Sequence, residues 1–271
     1  MTLLEAIVLA IVQGVTEFLP ISSTAHLVLV PWLFGWVDPG LTYDVALHAG
    51  TLVAVLAYFA RDWLSMLGSL LKGGRSDSGV DGRLLGIILA ATVPGALAGY
   101  FLEGYAETTF RSPVLIAAML MGIAGVMWIA DQRPTLVRGA ESVSLTDGLL
   151  IGLAQALAIL PGTSRAGITI AAGLFRNLTR EAAARFSFML ATPIIGGATL
   201  KKGLDIWQQG LPPGANVSDF AVGFLVSALT GYAAIAFLLR YLQVRTLKIF
   251  VVYRLVLGGI ILAVELLRSA A

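Results

Sequence analysis

Two short stretches decide the fold: EFLPISSTAH, residues 17–26, and LPGTSRAG, residues 160–167. Each places a proline, small hydroxyl residues and at least one charged side chain inside a very apolar part of the chain. A proline within an apolar helical segment kinks or breaks the helix. The arms on either side of each break are about 11–17 residues long, which is short for a full membrane crossing. The two stretches therefore predict re-entrant or discontinuous segments.

The composition is that of an integral membrane protein. The 271 residues are 58% hydrophobic and 13% charged, with a mean hydropathy of +0.87, whereas soluble domains average about 45–50% apolar and about 25% charged residues. The net charge of +2 comes without a clustered basic face, which argues against nucleic-acid binding. The absence of cysteine excludes disulfides, thiolate catalysis and cysteine-ligated metal centres.

Six further stretches are apolar enough to cross a bilayer, which takes about 20 residues. They lie at approximately 44–60, 84–102, 112–130, 183–200, 220–240 and 247–267. We therefore predict an all-α polytopic membrane protein, with six transmembrane helices and two re-entrant broken-helix hairpins, as a single membrane domain over residues 1–271.

The two broken segments resemble each other, which indicates an internal duplication. FLPISSTA (18–25) aligns with ILPGTSRA (159–166), and this alignment pairs Ser23 with Ser164. A hairpin followed by three spans occurs in each half, so we expect repeat 1 at about 1–131 and repeat 2 at about 145–268. An odd number of crossings inverts the second copy. Inverted repeats place binding sites where their broken helices meet, near the membrane midplane.

The basic residues are divided unequally between the two sides of this topology. Twelve of the 18 Lys and Arg residues fall in four loops on one side, at 61–83, 131–144, 176–185 and 240–248. Lys and Arg are retained on the cytoplasmic side, so we expect the first hairpin to open outward and the second to enter from the cytoplasm. The N-terminus carries Glu5 and no basic run, which does not resemble a cleaved signal peptide.

The first hairpin carries an amide, a carboxylate, two serines and a histidine. Gln13 and Glu17 are i,i+4 neighbours on one helix face, and Glu17 can hold a divalent cation through its oxygens. His26 follows Ser22 and Ser23 by four and three residues, so its imidazole can lie beside either hydroxyl and activate it. An isolated Ser/His pair is more often a helix cap and a core histidine. The carboxylate in an apolar segment favours the functional interpretation.

The second hairpin offers an anion site. Arg165 begins a half-helix, where free N–H groups and the helix dipole attract anions and a guanidinium can grip phosphate through two bonds. The preceding turn supplies Gly162, Thr163 and Ser164. Thr169, four residues after Arg165, can face the same cavity; the competing interpretation is a capped loop with Arg165 reaching the interface. Together the two hairpins predict phosphoryl chemistry or phosphate recognition near the midplane.

Other polar residues give weaker signals. Asp44 and His48 are i,i+4 neighbours, but without a third ligand we expect a polar pair near the outer face rather than a metal site. Interfacial positions are expected for four charged residues at or near helix ends: Glu103, Glu107, Arg254 and Glu265.

At these residues the chain resembles the undecaprenyl-diphosphate phosphatase family, also called bacitracin-resistance proteins. That family carries [E/Q]xxxE followed by FLPxSSTxH, and later PGxSRSxxT; the similar segments here are QGVTE (13–17), FLPISSTAH (18–26) and PGTSRAGIT (161–169). YDVALHAGTLVAVL (43–56) also resembles the family, and the resemblance covers essentially the whole chain. Two departures stand out: Gln13 at the variable acidic position and Ala166 in place of serine.

The resemblance implies a bacterial enzyme that removes the terminal phosphate of undecaprenyl diphosphate and so regenerates the lipid carrier for cell-wall synthesis. It also implies a divalent cation, Mg or Ca, on the motif of Glu17 and Gln13. The active site would open to the outer side of the cytoplasmic membrane. The implied partners are the polyprenyl diphosphate lipid and the bilayer. A homodimer is possible, and no nucleic-acid partner is expected.

The matching positions also imply roles. The catalytic residues would be Ser23, His26, Glu17 and Arg165, and the residues that bind the substrate phosphates would be Ser22, Thr24, Gly162, Thr163, Ser164, Arg165 and Thr169. The mechanism expected from the sequence has Ser23 attack the terminal phosphorus with His26 as base. His26 as nucleophile, or as the group that activates water, stays open. The alternative function is a transporter or flippase of a lipid phosphate with the same inverted repeats.

Overall fold

The chain is helical, as its sequence predicts. A computed structural model describes residues 1–72, 82–107, 110, 112–133, 135–210 and 216–270. Within these ranges eleven α-helices follow one another: α1 (Leu3–Phe18), α2 (Ser23–Phe34), α3 (Leu41–Tyr58), α4 (Ala60–Lys72), α5 (Gly82–Glu107), α6 (Pro113–Asp131), α7 (Leu145–Ala156), α8 (Arg165–Phe175), α9 (Arg180–Gln209), α10 (Val217–Val244) and α11 (Lys248–Ala270). The predicted all-α polytopic class is confirmed.

Both predicted breaks are present. Residues 19–22 separate α1 from α2, and residues 157–164 separate α7 from α8. The residue just before each second arm has a positive φ, 76° at Ser22 and 66° at Ser164, a conformation that costs free energy in a non-glycine residue. By backbone conformation, Ser22 therefore corresponds to Ser164, whereas the sequence alignment pairs Ser23 with Ser164. The duplication itself stays a prediction.

By length and composition, five helices of the described chain are able to cross a membrane: α5, α6, α9, α10 and α11. The first span that the sequence predicts, at 44–60, is not one of these five helices. Residues 44–60 form only α3, and the chain bends by 68° after Tyr58 into α4, so these two helices together make the sixth candidate. The predicted loop at 61–83 therefore begins as a helix.

The first broken helix packs closely on α10, which lies against both α1 and α3. A Cβ added at Gly14 of α1 would overlap the Thr230 side chain and come within 2.8 Å of the Ser227 carbonyl oxygen. Glycine thus allows the two backbones to approach. The second broken helix is enclosed in the same way, because α7 packs on α5 while α8 packs on α6 and α9. Both breaks are therefore held inside the bundle.

Ion pairs and hydrogen bonds join the four predicted basic loops at one end of the bundle. Asp131 accepts bonds from Arg180 and from the N–H of Leu247 at 2.5 and 2.8 Å. Asp62 accepts a bond from Arg185 at 2.9 Å. Arg138 and Arg176 both form ion pairs with Asp147. The four loops thus share one face, as the charge pattern predicts, while its cytoplasmic location stays a prediction.

Candidate active site

The two breaks meet at one cavity of about 320 Å³. It is lined by six of the predicted site residues: Glu17, Ser22, Ser23, Thr24, Ser164 and Arg165. The remaining wall is mostly apolar, and α5 and α9 are among the elements that contribute to it. A larger cavity of about 530 Å³, beside Asp62 and Arg185, contains none of the predicted site residues. The structure therefore brings the two hairpins to a single site with a polar and an apolar part.

Glu17 is the centre of the polar contacts. Its side chain is 5% exposed, and its Oε1 accepts a hydrogen bond from Nη2 of Arg165 at 2.7 Å. Its Oε2 accepts bonds from the Ser23 hydroxyl at 2.5 Å and from the Gln13 amide at 3.1 Å. A buried carboxylate needs such partners, because desolvation of an unpaired charge is costly. One carboxylate thus joins the serine of the first hairpin to the arginine of the second.

His48 also belongs to this cluster, although the sequence interpretation places it outside the site. Its Nε2 lies 3.4 Å from Oε2 of Glu17, and its Nδ1 lies 2.7 Å from the backbone oxygen of Asp44. A carbonyl oxygen can only accept, so Nδ1 carries a proton and Nε2 faces the carboxylate. The polar pair expected near the outer face is therefore part of the cavity wall. No sequence spacing connects His48 to Glu17, because they lie on different helices.

His26 forms no hydrogen bond with the hydroxyls of Ser22 and Ser23. Its Nδ1 lies 2.7 Å from the backbone oxygen of Ser22, and its Nε2 lies 2.7 Å from the hydroxyl of Tyr253. Both ring nitrogens are thus engaged, so the expected pairing of the imidazole with a serine hydroxyl is not formed. The Ser23 hydroxyl has Glu17 as its partner instead.

The turn of the second hairpin touches the first hairpin directly. The N–H of Gly162 donates to Oγ of Ser22 at 3.2 Å. Gly162 has a φ of 92°, and a Cβ there would come within 2.5 Å of the backbone oxygen of Ile116, so both backbone conformation and space require glycine. Ser164 caps α8, because its hydroxyl accepts a bond from the N–H of Gly167 at 3.1 Å. These contacts fix the start of the helix that carries Arg165.

Two predicted phosphate-binding threonines do not line the cavity. Thr169 is fully buried, and its hydroxyl contacts the backbone oxygen of Arg165 at 2.7 Å and Oγ of Ser187 at 2.6 Å. It does not line the cavity, so it supports the helix of Arg165 rather than facing the same cavity as expected. Thr163 is 1% exposed, and its hydroxyl has no hydrogen-bond partner among the described residues.

Arg254 is buried between the two breaks, which corrects the interfacial position expected from the sequence. It is fully buried and donates to the backbone oxygens of Pro20 at 3.2 Å, Gly162 at 2.7 Å and Thr163 at 3.1 Å. Further bonds reach two carbonyls of α6. Carbonyls at the end of a broken helix lack helical partners, and a cation there is favourable. One guanidinium therefore holds both breaks in place. Interfacial positions are also predicted for Glu103 and Glu107, whose side chains are outside the described part of the structure.

The predicted cation ligands offer a partial site. Oε1 of Gln13 is buried without a hydrogen-bond partner among the described residues, and it belongs to a side chain that contacts Glu17. A free amide oxygen beside a carboxylate suits a hard cation. No group of three or more His, Cys, Asp or Glu side chains that could hold a metal ion occurs within the described ranges. A cation at Glu17 and Gln13 would thus need further oxygens, such as those of substrate phosphates.

Comparison with known proteins identifies the family. The family model described as bacitracin resistance protein BacA matches residues 6–260. The chain belongs to the BacA family.

Three similar relatives of this BacA-family chain are named undecaprenyl-diphosphatase. The relative from Desulforudis audaxviator is 49% identical over 265 residues, 98% of each chain. The relative from Pelotomaculum thermopropionicum is 50% identical over 270 residues, 100% of this chain and 98% of its own. The relative from Moorella thermoacetica is 50% identical over 268 residues, 99% of this chain and 100% of its own. The family resemblance predicted from the motifs is confirmed.

Proposed function

We infer that this BacA-family chain is a membrane phosphatase that hydrolyses undecaprenyl diphosphate to undecaprenyl phosphate and phosphate, and so recycles the lipid carrier for cell-wall synthesis. Similarity to undecaprenyl-diphosphatases over essentially the full length supports this function. The observation that carries it is the chain of contacts from the Ser23 hydroxyl through Glu17 to Arg165, inside a cavity formed where the two hairpins meet.

In this proposal Arg165 binds the terminal phosphate. A guanidinium has five N–H donors, and the two bonds that Arg165 makes to Glu17 and to the Ser187 carbonyl leave three of them for a ligand. The N-terminus of α8 adds a positive dipole end at the same point. The hydroxyls of Ser22 and Thr24, 3.3 Å apart at the cavity wall, supply further donors.

The chemistry that this geometry supports is transfer to serine. The Ser23 oxygen attacks the terminal phosphorus while Oε2 of Glu17 accepts its proton. The bond from that phosphorus to the bridging oxygen breaks, and the lipid phosphate leaves with this oxygen and takes the proton from Glu17. Water then attacks the phosphoserine with Glu17 again as base, and the proton returns to Ser23 as phosphate departs. His26 positions the break between α1 and α2 in this scheme and is not the base.

A divalent cation, Mg or Ca, is proposed to bind Glu17, with phosphate oxygens completing its coordination. Gln13 would join as a ligand only with its amide turned over, since its Nε2 rather than its Oε1 faces Glu17. Such an ion would supply charge neutralisation at the diphosphate. We expect a chelator to stop phosphate release by the purified protein and added Mg²⁺ or Ca²⁺ to restore it. Undiminished turnover after exhaustive chelation would remove the cation from the proposal.

The active site is proposed to open to the outer side of the bacterial cytoplasmic membrane, on the basis of the charge distribution. The chain has no cysteine, so single cysteines report accessibility cleanly. Val37 follows the first hairpin, Val137 lies in a basic loop, and they are 83% and 77% exposed. A membrane-impermeant thiol reagent added to intact spheroplasts should label Val37→Cys and spare Val137→Cys. The opposite pattern would invert the topology.

Purified protein in detergent separates the phosphatase from the alternative transporter. Incubation with undecaprenyl diphosphate should release phosphate, and rapid quenching should trap an acid-stable phosphoserine that peptide fragmentation places at Ser23. A parallel quench in base preserves any phosphohistidine at His26, which acid would hydrolyse. Binding of the lipid without phosphate release would favour a transporter or flippase. Phosphate release with a phosphohistidine at His26, or with no covalent intermediate, would retain the function and overturn the role of Ser23.

A further inference from the structure

Gln155 of α7 is a buried polar residue with unused hydrogen-bonding capacity. It lines the cavity of the candidate active site and is only 3% exposed. Neither its Oε1 nor its Nε2 has a hydrogen-bond partner among the described residues. Burial of an unpaired amide opposes folding. A glutamine in this state at a cavity wall therefore indicates a ligand that completes its bonds.

The surroundings of Gln155 show which part of a ligand it faces. A Cβ built on Gly95 would lie 3.0 Å from Nε2 of Gln155 and 3.1 Å from Cδ1 of Ile194, so the amide end lies beside α5 and α9. Those helices contribute an apolar part of the wall, which includes Gly99 and Ile195. The polar cluster around Glu17 comes instead from α1, α2, α3 and α8. Gln155 thus lies where an apolar wall begins.

A second glutamine occupies the corresponding place in the first hairpin. Gln13 and Gln155 each lie nine residues before the positive-φ serine that precedes the second arm, Ser22 and Ser164 respectively. Gln13 uses its Nε2 on Glu17 and leaves its Oε1 unpaired. Gln155 has no such carboxylate neighbour bonded to it, so both of its amide atoms stay available to a ligand.

We propose that Gln155 binds the phosphate that remains on the lipid, with its amide N–H donating to a non-bridging oxygen while Arg165 holds the terminal phosphate. The prenyl chain would then leave the site along the apolar wall beside Gly95 and Gly99. This assignment rests on the proposed function, because it places the diphosphate in the same cavity. It makes Gln155 a substrate-binding residue for the lipid-linked phosphate of both substrate and product.

The decisive variant is Gln155→Leu, which keeps the approximate volume and removes the unpaired amide. A bond to a charged phosphate is worth about a 10- to 100-fold change in affinity, so KM should rise by about that factor while kcat changes less than threefold. Inhibition by undecaprenyl phosphate should weaken by the same factor, and inhibition by inorganic phosphate should stay within twofold. The apparent Tm should not fall, because no partner in the described protein loses a bond.

Thr199→Val is the matched control, since the Thr199 hydroxyl is also buried without a partner among the described residues but does not line the cavity. It should leave KM, product inhibition and Tm unchanged. Two further variants act on the same amide. Gln155→Glu adds a charge that repels phosphate and should raise KM more than Gln155→Leu does. Gly95→Ala places a methyl group 3.0 Å from Nε2 and should raise KM by a few-fold.

Two outcomes would overturn the inference. If Gln155→Leu leaves KM and the inhibition constant of undecaprenyl phosphate within twofold of wild type, Gln155 does not bind the lipid-linked phosphate. If Gln155→Leu lowers the Tm with KM unchanged, and Gly95→Ala also leaves KM unchanged, the amide has a structural role. Both results require that the wild-type protein releases phosphate. If the wild type is inactive, the proposed function itself fails, and this outcome is distinct from the two above.

Discussion

Arg254 is the residue on which the geometry of both breaks depends most. Its buried guanidinium donates to the backbone oxygens of Pro20, Gly162 and Thr163. In Arg254→Met these three loop carbonyls lose their partner inside the bundle. An unpaired buried acceptor costs about 1–3 kcal/mol, so the free energy of unfolding should fall by about 3–9 kcal/mol. At about 2–4 °C per kcal/mol, the apparent Tm should drop by about 6 °C or more.

Activity should fall with stability, because Ser23 and Arg165 follow the anchored carbonyls by only a few residues. We expect kcat/KM for undecaprenyl diphosphate to decrease by at least about 10²-fold, the scale on which small misplacements of reacting groups act. Arg254→Lys retains the charge but has three donors instead of five, so its Tm and kcat/KM should lie between those of the wild type and Arg254→Met.

Thermal unfolding in detergent, followed by tryptophan fluorescence, and phosphate release measured on the same preparation check this prediction. Arg268→Met provides a control on the same helix: the Arg268 guanidinium carbon lies 4.1 Å from the centroid of the Trp32 ring, a contact worth about 0.5–1 kcal/mol at an exposed site. Its Tm should change by no more than a few degrees. The reasoning would be refuted if Arg254→Met unfolded within 2 °C of the wild type and kept kcat/KM within threefold.

Two further predictions concern the base and the packing of the first hairpin. Glu17→Gln removes the acceptor of the Ser23 proton and should lower the single-turnover rate constant by about 10²–10⁴-fold; a loss below tenfold would exclude Glu17 as base. Gly14→Val should lower the apparent Tm by several degrees, since even a Cβ at this position overlaps Thr230 and approaches the Ser227 carbonyl; an unchanged Tm would show that α1 and α10 can separate at no cost.

The helical class and the two breaks are predictable from the sequence because they depend on local signals. Apolar length marks the spans, and the prolines of FLPISS and LPGTS interrupt the apolar segments. The structure departs from these predictions where tertiary contact decides. The sequence predicts that the first span ends near residue 60, but it does not predict that the chain continues as α4 after a 68° bend.

The site was predictable only for residues that belong to a motif. Glu17, Ser23 and Arg165 stand out as polar groups in apolar segments beside a break, and all three line one cavity. His48 and Arg254 come from helices remote in sequence, and only the packing of those helices brings them to the breaks. His26 shows the opposite error: its spacing permits contact with a serine hydroxyl, but the ring bonds to the Ser22 carbonyl and to Tyr253.

The most direct test of the central claim compares two arginines, each ion-paired with a carboxylate, in the initial rate of phosphate release from undecaprenyl diphosphate. Arg165 contacts Glu17 in the cavity where the hairpins meet, whereas Arg185 pairs with Asp62 at the face of the basic loops. Arg165→Met should lose at least about 10³-fold in kcat/KM, as expected when a phosphate-binding guanidinium is removed. Arg185→Met should retain most of the wild-type rate. Equal rates for the two variants would contradict the placement of the active site between the broken helices.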